Sequence, residues 1–185
     1  MPKEKLNMNK RNNQLMILVS CALLIAMNVV LVRFCSITTT YLRLSFGFIP
    51  LAIAAMMFGP GYACAVAAIA DLLGAILFPS GPFWPGFTIV AGLCGLIYGF
   101  LLYQKPGSHW SRPVLLIRVL LTVLIINVVM ELGLNTGNLY LMYGDGVMAW
   151  IPGRITKAIC MIPVEFIMIN FMRRALVEPM QRRMK

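Results

Sequence analysis

The sequence predicts an all-α membrane protein, a six-transmembrane-helix bundle with its N- and C-termini cytoplasmic. Three observations predict it. Hydrophobic residues fill 60% of the 185 positions and charged residues only 12%, with a mean hydropathy of +0.83, whereas a soluble domain carries about 25% charged residues. The apolar residues come in runs separated by Pro, Gly and polar stretches, and at about 20 residues per crossing the length holds roughly six of them. Finally, Lys and Arg gather in alternate segments between the runs, as the positive-inside rule requires of a polytopic chain.

The first span is expected from Leu15 to Val32, ended by Arg33. No small-residue cleavage site follows it, so it reads as a retained span rather than a signal peptide. The second, Phe46 to Phe58, is stopped by Gly59-Pro60-Gly61. It covers only about 20 Å at ~1.5 Å per residue, short of a ~30 Å hydrocarbon core, so it must dip into surroundings made of protein. The third runs from Tyr62 to Phe78. The stretch from Pro79 to Gly86 that follows is too rich in Pro and Gly to be helical throughout. The fourth span covers Phe87 to Tyr103, the fifth Pro113 to Leu134 and the sixth Trp150 to Phe171, with 135–149 expected as a loop. The domain division is 1–14, a cytoplasmic segment; 15–172, one membrane domain; and 173–185, a basic cytoplasmic tail.

Orientation rests on Lys3, Lys5, Lys10 and Arg11, on Lys105 and Arg112, and on Arg173, Arg174, Arg182, Arg183 and Lys185. With six spans these three regions share one face, the cytoplasmic one. The net charge of +10 is therefore a topology signal, and no nucleic-acid partner is expected. Cys21, Cys35, Cys64, Cys94 and Cys160 form no CxxC pair, and the single histidine, His109, stands alone in a polar loop. Neither a metal site nor a disulfide framework is expected. There is no nucleotide-binding loop and no internal repeat of the inverted-transporter kind. No cofactor and no catalytic residues are expected.

Ionisable side chains inside a membrane are costly and so are candidates for function. Asp71, Arg118, Glu131, Arg154, Lys157 and Glu165 lie within or beside spans. Arg154 and Lys157, three residues apart, share a helix face. Asp71, Glu131, Asn135, Asn138 and Arg43 mark the same non-cytoplasmic end. Two readings stand side by side: Asp71 or Glu131 simply neutralises Arg154 or Lys157, or these groups line a cavity for a solute. The aromatic pair Phe83-Trp84, set in the rigid loop, offers faces on which a flat ring stacks. The expected solute is anionic, aromatic and rich in hydrogen-bonding groups. Glu165 reads equally as a structural hydrogen-bonding residue, a partner contact or a ligand contact. In the first span, Ala22 and Ala26 make a small-xxx-small pair, suited to internal packing or to docking another membrane protein.

The stretches Tyr41-Leu-Arg-Leu-Ser-Phe-Gly-Phe-Ile-Pro50, Ala70-Asp-Leu-Leu-Gly74, Phe78-Pro-Ser-Gly-Pro-Phe-Trp-Pro-Gly-Phe-Thr88, Gly95-Leu-Ile-Tyr-Gly99 and Pro152-Gly-Arg-Ile-Thr-Lys157 resemble the substrate-binding S components of energy-coupling factor (ECF) vitamin transporters, most closely the folate-specific members. The resemblance covers nearly the whole chain. It implies an outward-facing cavity that binds folate or a related vitamin, residence in a prokaryotic cell membrane, and partnership with one transmembrane coupling subunit and two cytoplasmic ATPases. The Ala22/Ala26 pair resembles the docking motif for the coupling subunit. Arg43, Asp71, Phe83, Trp84, Asn135, Asn138, Arg154 and Lys157 become the substrate-binding candidates: Asp71 for the donor edge of a pterin, Phe83 or Trp84 for its ring, and Arg43, Arg154 or Lys157 for the carboxylates of the tail. Competing readings are an S component for another anionic vitamin such as pantothenate, and a small lipid-modifying membrane enzyme.

Overall fold

The computed structural model describes residues 3–38, 43–79, 82–104 and 111–177, with side chains within 14–36, 45–79, 82–104 and 111–175. It is a helical membrane-protein fold. Helix α1 spans Lys3–Arg33, α2 Phe48–Phe58, α3 Pro60–Leu77 and α4 Pro85–Leu102. The rest is one long helical run: α5 at Arg112–Leu124, a π-helical segment at Ile125–Leu134, α6 at Asn135–Tyr143, a 3-10 segment at Gly144–Trp150, α7 at Ile151–Met172, and a π turn at Arg173–Val177. Gln14–Arg33, Pro60–Leu77, Pro85–Leu102 and the run Arg112–Ala175 are long and apolar enough to cross a bilayer.

The bundle's surface is apolar, as a lipid-facing body requires. Leu23, Ile76, Ile117 and Phe171 are all exposed. Helix α2 is the reverse case. Its Ala52, Ala54 and Ala55 are wholly buried, and it packs against α1, α3, α4 and α7. Protein therefore surrounds the helix that is too short to span lipid. Gly59, at φ 89°, breaks the chain between α2 and α3, a backbone conformation that costs a residue with a Cβ dearly.

The most extensive helix contact is between α3 and α4. A Cβ at Gly95 would stand 2.5 Å from the Ala63 carbonyl oxygen, and one at Gly99 would overlap Pro60. These glycines let two backbones touch where lipid offers no hydrophobic drive for association. At the other end of α3, the Phe34 and Phe78 rings meet edge to face at 5.1 Å and tie α1 to α3.

Between α1 and α2, Ile37–Thr38 (β1) and Arg43–Leu44 (β2) pair antiparallel, with Ile37 opposite Leu44 and Thr38 opposite Arg43. One expectation is corrected. Residues 135–149 are not a loop. The helix continues through them, and the reversal falls at Gly144, φ 64°. Gly and Asn each cost a helix at most about 1 kcal/mol, too little to end one that continues from a preceding span. After the reversal α7 runs antiparallel to α5 and the π segment, joined by Asn127–Glu165 and Glu131–Lys157 hydrogen bonds.

Candidate functional site

Two connected hollows open inside the bundle. The first, about 190 Å³, is lined by Asn28, Asp71, Tyr98, Asn127, Glu131, Lys157 and Glu165 among apolar neighbours such as Phe48, Leu51 and Met161. The second, about 440 Å³, lies beside the Pro/Gly loop and is lined by Phe83, Trp84, Phe87, Asn135, Leu139 and Tyr143. They meet at a waist made by Arg33, Asp71, Ala91, Cys94 and Glu131, which line both. The larger hollow falls within the ~300–1,000 Å³ usual for small-molecule sites.

The waist is held by specific contacts. Asp71 comes from α3, and its Oδ2 accepts a 2.7 Å hydrogen bond from the Thr88 hydroxyl of α4. Glu131 comes from the π segment. Lys157 Nζ donates to its Oε2 at 2.9 Å and Asn135 Nδ2 to its Oε1 at 3.3 Å. Arg154 reaches behind it, where Nη1 donates to the Glu131 carbonyl oxygen at 3.0 Å and to the Thr136 hydroxyl at 2.9 Å. The π segment bonds each N–H five residues back, not four. In it, the Glu131 carbonyl receives a side chain from another helix. From the end of α1, Arg33 packs its guanidinium over α3, where a Cβ at Gly74 would lie 3.1 Å from Nε.

Asp71 and Lys157 each stand six residues from the Leu77 and Ile151 ends of their helices, about 9 Å along the axis. Glu165 and Tyr98 lie about 20 Å in from the Ile151 and Pro85 ends of α7 and α4, at the far end of the first hollow. There Asn127 Nδ2 donates to Glu165 Oε2 at 2.9 Å and to the Val123 carbonyl at 3.0 Å. At the opposite end, Trp84 Nε1 donates to Asn138 Oδ1 at 3.3 Å, and this joins the Pro/Gly loop to α6.

Of the residues singled out from sequence, Asp71, Phe83, Trp84, Asn135 and Lys157 line the hollows. Asn138 stands behind Trp84 as its hydrogen-bond partner. Arg154 reaches neither large hollow. It borders a gap of about 10 Å³ shared with Glu131 and Lys157, and its Nη1 donates to the Glu131 carbonyl and the Thr136 hydroxyl. Arg43 pairs through its backbone in β2, and its side chain lies outside the described residues. Ala22 and Ala26 lie on the exposed side of α1. Glu131 pairs with Lys157, and a hollow lies beside them. Arg33, Asn28, Asn127 and Tyr98 were not picked out. Asn28 and Asn127, polar residues in apolar runs, carried a legible signal; Tyr98 carried none.

A lipid-embedded helical bundle with a polar, aromatic-rimmed hollow reaching two-thirds of the way along its helices has the build of a membrane solute-binding protein. The sequence profile of the family described as "ECF transporter, substrate-specific component" matches residues 17–171, and the chain belongs to that family. A protein named "Folate transporter FolT" from Clostridium novyi (strain NT) is 39% identical over 153 residues, covering 83% of this chain and 85% of that protein. Another of the same name, from Leuconostoc mesenteroides subsp. mesenteroides, is 32% identical over 149 residues, covering 78% and 77%. Among solved structures, "Crystal structure of FolT bound with folic acid" superposes with a TM-score of 0.73 at 36% identity, covering 84% of this chain and 90% of that one. "Structure and mechanism of the S component of a bacterial ECF transporter" does so at 0.64 and 25%, covering 90% and 98%.

Proposed function

We propose that the chain binds folate, or a close relative of it, in the two joined hollows and presents it to an ECF importer in the cell membrane. The observation that carries this is the waist: one cation pair partner, one hydroxyl-bound carboxylate and an arginine, all facing one space beneath aromatic side chains. The printed names of the relatives and the folic acid in the similar structure support the same ligand. In this reading Asp71 Oδ1 accepts an N–H of the solute, Phe83 and Trp84 contact its aromatic parts, Asn135 adds a polar contact, and Lys157 and Arg43 attract its carboxylates. Arg154 acts by holding Glu131 in place.

The run Arg112–Ala175, folded back at Gly144, counts as two passes. Together with α1 to α4 this makes six, and both termini then lie on the cytoplasmic side. The exposed Ala22 and Ala26 give α1 a shallow strip on which a transmembrane coupling subunit docks, and that subunit carries two cytoplasmic ATPases. Isothermal calorimetry of the purified chain against a vitamin panel tests the ligand. Saturable one-to-one binding of folate without binding of pantothenate is expected. Binding of pantothenate without folate overturns the assignment, and turnover of a lipid by the chain alone overturns the class.

A further inference from the structure

The reversal after α6 leaves an elbow, residues 135–150, at the Ile151 end of the bundle. Its inner face has a role already: Asn135, Leu139 and Met142 line the larger hollow. Its outer face has none. No residue of α6 is buried, and outside its chain neighbours the helix packs on α4. Leu141 is 71% exposed and Met148 61%, and Tyr140, Tyr143 and Trp150 are exposed as well. Leu134 and Leu141, seven residues apart, share a stripe turned away from the hollow. A contiguous apolar patch of this kind marks an interaction surface.

Position and chemistry say what covers it. Helix α7 is 22 residues long, so it extends about 33 Å, slightly more than a ~30 Å hydrocarbon core. Ile151 therefore stands near the edge of that core, and the elbow begins where hydrocarbon ends. The patch continues the lipid-facing surface below it, where Val128, Val129, Ile155 and Ile159 are exposed. The Tyr143 and Trp150 rings meet at 5.9 Å, and Trp and Tyr are the residues that collect at membrane–water interfaces. At the tip, Asp145 is the only charged residue between 135 and 150. It is exposed and accepts a hydrogen bond from the Tyr140 hydroxyl at 3.2 Å. Charge at the tip, amphipathic rings next and aliphatic side chains beneath repeat the order of layers at a bilayer surface.

We propose that the elbow is seated in the lipid headgroup layer, and that this lipid contact, rather than packing against protein, holds α6 in place as a wall of the larger hollow. One helix then has two faces with two tasks: Asn135, Leu139 and Met142 toward the solute space, and Leu134 and Leu141 toward lipid. The seat is the same whichever solute the hollow takes, so it stands or falls apart from the folate reading.

The test uses the full chain in vesicles of phosphatidylethanolamine and phosphatidylglycerol. With Trp84→Phe and Trp110→Phe, Trp150 is the remaining tryptophan. Lipid brominated near the carbonyl end of its acyl chains should quench its emission at least about twofold more than lipid brominated near the methyl end. Quenching by neither, as for an elbow in water or under a second copy of the chain, overturns the seat, and so does stronger quenching by the deep bromine. Hydrogen exchange gives the second reading. Leu141→Glu with Met148→Glu puts charge on the patch through side chains that line neither hollow, and Glu suits a helix about as well as the Leu it replaces in α6. The amides of 135–143 should then exchange about tenfold faster, with α3 and α4 unchanged. Unchanged exchange in α6 overturns the dependence of the wall on lipid. Thermal unfolding checks that each form is folded. If the double Glu form is not, Leu141→Gln with Met148→Gln replaces it, and if the single-tryptophan form is not, exchange decides alone.

Discussion

The ammonium of Lys157 sits 2.9 Å from Oε2 of Glu131, while Arg154, one turn earlier on α7, grips the same residue's backbone carbonyl at 3.0 Å. One helix thus clamps one glutamate twice, by its charge and by its main chain, and that glutamate borders both hollows.

Breaking the charge half of this clamp leaves an unpaired ion in the bundle. Glu131→Gln or Lys157→Met alone is expected to destabilise the protein by about 3 kcal/mol, and the double substitution by less than the two together. Thermal unfolding of all four forms in detergent measures this. Additive losses would mean that the pair is not coupled.

Thr88→Val removes the donor on Asp71 and keeps the volume. Loss of one hydrogen bond to a charged group costs about 1.5–3 kcal/mol of stability, so the unfolding temperature should fall, and folate affinity should fall with it as the Asp71 carboxylate loses its fixed position. Titration calorimetry beside a melting curve separates the two effects.

Trp84→Phe keeps an aromatic face and loses the bond to Asn138, whereas Trp84→Ala loses both. Folate affinity should fall by about threefold for the first and by about 30-fold for the second, given roughly 0.5–1.5 kcal/mol each for the ring contact and the hydrogen bond. Equal losses would place the whole effect on the indole N–H.

Ala22→Leu with Ala26→Leu thickens the exposed α1 strip, whose residues line neither hollow. Ligand binding by the isolated chain should be unchanged, while co-purification with the coupling subunit and uptake by the assembled transporter are lost. A change in ligand binding without loss of assembly would place these residues in the binding function instead.

Much of the architecture was legible in the sequence because its cause is local. Long apolar runs must be helices in lipid, and Gly59-Pro60 and Pro79 to Gly86 must interrupt them. The course of 135–149 was misread because Gly137 and Asn138 look like loop residues when judged alone. Gly137 lies inside α6 without a positive φ, so this glycine marks no turn, and the actual reversal sits at Gly144. For the candidate site, a charge in an apolar run announces itself, as Asp71 and Lys157 do, and both line the first hollow. What a charge is aimed at depends on tertiary contacts. Arg154 and Lys157 share a face by spacing, yet one reaches a backbone carbonyl and the other a carboxylate at the hollow. Tyr98 looked like one more apolar-run aromatic between Gly95 and Gly99, and only the packing of α3 on α4 turns it inward.

The enclosed position of α2 bears on how this body sits in a bilayer. Only the surrounding helices have to match the thickness of the hydrocarbon layer. The short segment that forms part of the cavity wall is shielded from changes in lipid length or in the tilt of the whole bundle. The shape of the chamber can thus stay constant while its orientation in the membrane varies.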